Sequence, residues 1–152
     1  MRFKTIEEVL EWTGVFHDHL AGEYQRLSER QQRQRLDLLL RYLADHERLL
    51  QRSVERFRED APARLRHTWF DMAPDVPLPG TLAEFNALCR VSNVPELVDI
   101  AVRFHDGVLA VYTSLRNQAP NESIRELFDS LVQLEHHEKL KMVRGAQQLE
   151  DV

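Results

Sequence analysis

Several residue types that mark common kinds of protein site are scarce in this chain of 152 residues. Its one cysteine, Cys89, excludes an internal disulfide and a cysteine-rich zinc site, and we expect it to be a small buried residue. Only five glycines and six prolines interrupt the chain, and four of those prolines fall in residues 61–80. The other stretches are nearly free of helix breakers, which favours helices.

Excess positive charge and long apolar runs are also lacking. The net charge of -5 argues against a nucleic-acid partner. No run approaches the roughly 18 apolar residues of a membrane span, and the segment MRFKTIEEVLEW lacks the apolar stretch of a signal peptide. The sequence has no glycine-rich phosphate loop and no Gly-x-Ser-x-Gly nucleophile motif. We therefore expect a single cytoplasmic domain over residues 1–152 that binds neither membrane nor nucleic acid.

What the chain does contain is four long amphipathic segments. The first starts at Thr5, where Thr5-Ile6-Glu7-Glu8 forms a capping box, and the third starts at Asn93 with Pro95 in its first turn. Short links join the first segment to the second and the third to the fourth, whereas residues 60–92 separate the two pairs. Short links make antiparallel neighbours, and a long link crosses the bundle. The sequence predicts an all-α antiparallel four-helix bundle with one long crossover between helices 2 and 3.

A sequence repeat supports this paired arrangement. Residues 16–27 read FHDHLAGEYQRL and residues 104–115 read FHDGVLAVYTSL, with Phe-His-Asp, Tyr and Leu at matching places. The second and fourth helices also share a pattern, because residues 43–49 and 134–140 both read Leu-x-x-His-Glu-basic-Leu. The chain is therefore interpreted as two diverged copies of one helical hairpin.

The repeated histidines fall on the apolar stripes of their helices. A buried imidazole needs a partner for at least one ring nitrogen, and four of them in one core need a hydrogen-bond network or a cation. The midpoint between the matched histidines of each hairpin lies in its turn, so both pairs are expected to be level. The four histidines are His17, His46, His105 and His137.

A paired-hairpin bundle with ligand-type residues in its core resembles the ferritin-like superfamily, which includes the rubrerythrins and bacterioferritins. The resemblance is clearest in DIAVRFHDGVLAVYTSL, which is similar to the third helix of rubrerythrin-type proteins. In that family the first and third helices each give one Glu, and the second and fourth each give Glu-x-x-His, which together bind two irons. The resemblance implies that His17 and His105 stand at the single-Glu places, seven residues before Tyr24 and Tyr112.

Two registers remain open for the second and fourth helices. In the favoured register, His46 and His137 keep the family's His places while Leu43 and Leu134 occupy the Glu places. This register implies an imidazole site for iron, zinc or copper. Glu47, Glu138 and Asp106 support it as ligands or as hydrogen-bond acceptors for the histidines. The other register keeps a carboxylate-rich site, but it breaks the Leu-x-x-His-Glu match. It puts Glu47 and Glu135 in the Glu places, and Leu50 and Glu138 in the His places.

Two functions are consistent with these patterns. The first is a ferritin-like metal-binding protein with a histidine site in its core, in which an open ligand position would permit redox chemistry. The second is a non-enzymatic helical adaptor that has lost the site, keeps its histidines for packing and acts through a homodimer face. Tyr24 and Tyr112 are expected to be core aromatics with satisfied hydroxyl groups. His19, His67 and His136 have no repeat partner and are expected at the surface.

Overall fold

The computed structural model describes residues 1–150, which form six helices joined by short links and one long crossover. The helices are α1 (Ile6–Arg30), α2 (Gln34–Asp60), α3 (Ala63–Arg66), α4 (Leu82–Cys89), α5 (Val94–Asn117) and α6 (Glu122–Glu150). The long helices α1, α2, α5 and α6 are the four amphipathic segments of the sequence. The predicted all-α bundle with one long crossover is confirmed.

Local sequence explains where most of these helices begin. The Thr5 hydroxyl accepts from the Glu8 backbone N–H at 3.2 Å, and the Asn93 side chain accepts from that of Glu96 at 2.9 Å. Side-chain oxygens at these positions satisfy backbone N–H groups that the first helical turn leaves free. Asn121 does the same for α6, because its side chain accepts from the Ile124 N–H at 3.0 Å.

The turns of the two hairpins lie at equivalent positions of the sequence repeat. Helix α1 continues to Arg30 and α2 begins at Gln34, so the first turn is centred near Gln32. The second turn lies between Asn117 and Glu122. Residues at equal distances from a turn are level in an antiparallel hairpin. The first turn lies midway between His17 and Glu47, and the second turn lies midway between His105 and Glu135.

The crossover packs on the side of the bundle formed by α1 and α5. Gly107 of α5 permits a close approach, because a Cβ at this position would lie 2.8 Å from Pro79 Cβ. The Phe85 ring lies 5.5 Å from the Phe104 ring, which in turn lies 5.9 Å from the ring of Phe16. Aromatic side chains therefore close this side of the core.

The exposed surfaces of the bundle carry mostly charged and polar side chains. Within residues 1–150, none of the helices is both long enough and apolar enough to cross a membrane. Cys89, expected to be buried, is instead exposed at the end of α4, because this short helix buries only Leu88.

Candidate functional site

Two histidines and two glutamates meet in the middle of the bundle, one from each long helix. His17 lies on α1, Glu47 on α2, His105 on α5 and Glu135 on α6. Each is at most 2 % exposed. We call these four residues the core cluster. Four ionisable side chains this deeply buried are unusual unless they are paired or bind a ligand.

The core cluster is a closed ring of His–Glu contacts. His17 Nδ1 lies 2.6 Å from Glu47 Oε2, and His105 Nδ1 lies 2.8 Å from Glu135 Oε1. The other ring nitrogens make longer contacts, 3.4 Å from His17 Nε2 to Glu135 Oε2 and 3.4 Å from His105 Nε2 to Glu47 Oε1. Each imidazole therefore touches both carboxylates. Neither buried Nε2 atom has a hydrogen-bond partner.

In this ring, pairing of opposite charges shifts the pKa values more than burial does. Burial alone would lower the pKa of His17, but the charges of Glu47 and Glu135 raise that pKa to about 10. Burial alone would raise the pKa of Glu135, but the His17 charge and the His105 hydrogen bond hold it at about 2. The pKa of His105 is also raised against the effect of burial, through its hydrogen bond with Glu135. These directions favour imidazolium rings beside carboxylates, so opposite charges balance inside the core.

Two further ligand-type side chains lie beside the core cluster. The His46 ring lies 5.6 Å from the His105 ring, and its buried Nε2 atom has no hydrogen-bond partner. Glu138 is 8 % exposed, and its Oε1 lies 3.6 Å from the ammonium group of Lys141. Burial lowers the pKa of His46, which favours a neutral imidazole.

The two repeat-related tyrosines differ in their hydrogen bonding. The Tyr112 hydroxyl donates to Thr13 Oγ1 at 2.9 Å, whereas the buried Tyr24 hydroxyl has no partner. The position equivalent to Thr13 in the second hairpin is Ala101, which has no hydroxyl group. The prediction of a satisfied hydroxyl is therefore correct for Tyr112 and wrong for Tyr24.

The core cluster identifies the register that relates the two hairpins. His17 and His105 are 88 positions apart (105 − 17), and so are Glu47 and Glu135 (135 − 47). Each glutamate follows its hydrogen-bonded histidine by 30 positions. The favoured register paired His46 with His137, which shifts the second helices by three residues. The structure instead brings together Glu47 and Glu135, the two residues that the alternative register puts in equivalent places.

The sequence does contain a signal for Glu135. When the FHD alignment is continued without a gap through both turns, Glu47 falls opposite Glu135. The local match of Leu-x-x-His-Glu requires a gap of three residues, but in both hairpins the second helix begins 28 residues after the first (34 − 6 and 122 − 94), which leaves no room for a gap.

Two of the residues expected at the site lie outside the core. His137 is exposed on α6, because it falls two positions after Glu135 and so points away from the stripe that Glu135 occupies. Asp106 is exposed on α5, where one of its oxygens lies 2.6 Å from the Lys139 ammonium group. The expectation that these side chains converge with His17, His46 and His105 is therefore wrong. His19, His67 and His136 are exposed, as expected.

The donor set of the core cluster suits a transition metal, although its side chains now bind one another. Imidazole nitrogen and carboxylate oxygen are both ligands of ferrous iron and of zinc. In residues 1–150 as they lie, no group of three or more His, Cys, Asp or Glu side chains has an arrangement that could hold a metal ion. Metal binding would require the imidazoles and carboxylates to turn from each other towards a shared ion.

Comparison with known proteins supports the fold. No protein-family model matches the sequence, and no curated protein matches it. Among solved structures, the fold is similar to the crystal structure at 2.30 Å resolution of a Thermotoga maritima protein, described provisionally as a ferritin-like diiron-carboxylate protein. The TM-score is 0.57 at 14 % sequence identity, over 94 % of this chain and 95 % of that chain. This chain therefore has a ferritin-like fold, with a buried His/Glu cluster in its core.

Proposed function

We propose that this protein binds a divalent transition metal, with iron favoured, through His17, Glu47, His105 and Glu135. One observation carries the proposal: two repeat-equivalent His–Glu pairs, one residue from each long helix, meet at a single level of the core. His46 and Glu138 stay outside this primary ligand set, although they lie beside it.

Iron is favoured over the other metals because of the two carboxylates. An all-imidazole site, as the sequence first indicated, suits zinc or copper as well as iron. Glu47 and Glu135 add oxygen ligands that each reach towards both histidines, and carboxylate oxygens stabilise the higher oxidation state of iron. The similar fold of a protein described as diiron-carboxylate agrees with this choice. Iron held in this way would supply one-electron redox chemistry.

The two carboxylates of the core cluster favour a bound cation. Two carboxylates in a core closed by aromatic rings attract positive charge, and the present imidazolium rings supply it. A metal must displace those protons, so binding releases protons. The buried Nε2 atoms of His17 and His105, which have no hydrogen-bond partner, are the nitrogens available to a ligand.

Metal analysis of protein purified without a nickel column tests the proposal. Metal-free protein is incubated anaerobically with ferrous iron, zinc or copper in turn, freed of excess metal and analysed by mass spectrometry. We expect about one ion or more per chain and a higher melting temperature, since a ligand that binds only the folded state stabilises it. The Glu47→Gln/Glu135→Gln variant should lose the ion, while the exposed-site control His137→Ala should keep it. Equal metal content in both variants, or none in the wild type, would contradict the proposal.

A second candidate function is a metal-free helical adaptor that acts through a homodimer face. The closed ring of His–Glu contacts favours this candidate, because the four side chains already neutralise one another. It predicts that wild-type protein binds none of the three metals and that a chelator leaves its melting temperature unchanged.

A further inference from the structure

Two surface hollows lie along the seam between α2 and α6, and the internal repeat relates them. The first hollow, of about 530 Å³, is lined by residues that include Tyr42, His46, Glu138, Lys141 and Arg144. The second hollow, of about 570 Å³, is lined by eight residues. Every one of those eight lies 88 positions from a residue that lines the first hollow, the same spacing as that of His17 and His105 (105 − 17).

The floors of the two hollows differ in chemistry. In the first hollow the floor is made by His46 and Glu138, which are both buried, and the His46 ring lies 5.6 Å from the His105 ring of the core cluster. The repeat-equivalent residues are Leu134, which lines the second hollow, and Leu50, which does not line it. Leu50 is wholly buried. The two repeat-related hollows are similar in size, but the first has an imidazole and a carboxylate where the repeat-equivalent residues of the second are apolar.

Polar floor residues offer a cation a path that the aromatic α1–α5 side of the core does not. On the α1–α5 side, the Phe104 ring lies 5.9 Å from the ring of Phe16 and 5.5 Å from the ring of Phe85 in the crossover. A hydrated ion that moves inward must exchange its water ligands for other polar ligands, because a bare ion in an apolar passage is very costly. His46 Nε2, buried and without a hydrogen-bond partner, and the Glu138 carboxylate are such ligands.

We propose that the first hollow is the route by which a divalent transition-metal ion reaches the core cluster, with His46 and Glu138 as transient ligands on the way. This inference rests on the proposed metal-binding function. Lys141 controls the entrance, because its ammonium group lies 3.6 Å from Glu138 and competes with an incoming ion for that carboxylate. The second hollow, with leucines in place of both ligands, is closed to ions.

Loading kinetics test the route separately from the site. Cobalt(II), which absorbs visible light when bound by protein ligands, is mixed anaerobically with metal-free protein, and both the rate and the final stoichiometry are recorded. The variants His46→Leu and Glu138→Leu introduce the residues that the chain itself has at the repeat-equivalent positions. We expect each to load at least about tenfold more slowly, with an unchanged final stoichiometry. Lys141→Met should load faster, since the competing ammonium group is gone.

The control is a change in the second hollow. His137→Ala also removes an imidazole from a hollow wall, but it should leave the loading rate unchanged. Circular dichroism checks that each variant is folded, and His46→Gln and Glu138→Gln replace any leucine variant that is not.

Three outcomes overturn the route. Loading of the floor variants at the wild-type rate excludes the hollow as the entrance. A fall in their stoichiometry at an unchanged rate makes the two residues permanent ligands instead. A wild-type protein that takes up no metal removes the proposed function and the route together, which differs from a failure of the route alone.

Discussion

Glu47 and Glu135 lie on different helices of different hairpins, yet each contacts the same two imidazoles. Glu47 reaches His17 at 2.6 Å and His105 at 3.4 Å, and Glu135 reaches His105 at 2.8 Å and His17 at 3.4 Å. The short and long contacts alternate around the ring, as expected for two copies of one hairpin that face each other about an approximate two-fold axis. The core therefore keeps the symmetry of the repeat within the core cluster, and departs from it at His46, Glu138 and Ala101.

Removal of one carboxylate should destabilise the metal-free protein strongly. Glu135→Gln leaves two imidazolium rings beside a single carboxylate, and breaking a buried ion pair on one side costs about 3–5 kcal/mol. The free energy of unfolding, measured by urea denaturation, should fall by about that amount. Glu126→Gln, on an exposed position of the same helix, should change it by less than about 0.5 kcal/mol. A loss below about 1 kcal/mol in the Glu135 variant would show that the ring contributes little to stability.

The pH dependence of stability should reveal the same ring in the metal-free protein. The pKa of Glu135 is lowered from 4.5 to about 2, so its contribution is present above pH 4.5 and is lost as the pH falls through about 2. The pKa of His17 is raised from 6.5 to about 10, so its contribution is complete below pH 6.5 and is lost as the pH rises through about 10.

These two groups predict greatest stability between pH 4.5 and 6.5. Outside that range each should contribute a slope of up to ~1.4 kcal/mol per pH unit. Urea denaturation across pH 3–10 measures the slopes. His17→Gln should flatten the alkaline slope, whereas His137→Gln, at an exposed position, should leave it as in the wild type. An alkaline slope that survives the His17 substitution would contradict the assignment.

Restoring the missing hydroxyl partner of Tyr24 should stabilise the core. Ala101→Thr places at the repeat-equivalent position the hydroxyl that Thr13 offers to Tyr112. A new intramolecular hydrogen bond contributes about 0.5–1.5 kcal/mol. Ala101→Val has nearly the same shape without the hydroxyl group, so the difference in unfolding free energy between the two variants isolates the hydrogen bond. Equal stability of the Thr and Val variants would mean that no such bond forms.

Substitutions of Gly145 and of Tyr42, which meet across the α2–α6 seam, should have non-additive effects on the free energy of unfolding. A Cβ at residue 145 would lie 2.0 Å from the Tyr42 hydroxyl oxygen, which donates to the Lys141 carbonyl at 3.2 Å. Gly145→Ala must therefore displace the Tyr42 ring and break this hydrogen bond. In a Tyr42→Ala background the same change should stabilise the helix by up to about 1 kcal/mol, which is the usual advantage of Ala over Gly.

A double-mutant cycle measures this coupling, and we expect at least about 1 kcal/mol between the two positions. Gly22→Ala is the matched control, because a Cβ there meets no atom within 4 Å. It should stabilise the helix equally with and without Tyr42. Additive effects of the Gly145 and Tyr42 changes would contradict the close contact.

Helical periodicity, capping residues and link lengths were sufficient to predict the fold from the sequence. Apolar residues at steps of three and four specify helices, Thr5 and Asn93 mark where two of them begin, and the lengths of the links determine which helices are antiparallel neighbours. The same periodicity placed His17, His46 and His105 on buried faces. These features depend on residues close together in the chain, so they can be read without knowledge of long-range contacts.

Which side chains meet was decided only by the tertiary structure. A shift of three residues along a helix preserves the apolar pattern almost unchanged, so local sequence could not distinguish the register that pairs His46 with His137 from the register that pairs Glu47 with Glu135. The lengths of the two turns make that choice, because they set how far one helix slides past the next. His137 follows Glu135 by two positions (137 − 135), which is about 200° around the helix, so only one of the two side chains can lie on the buried face.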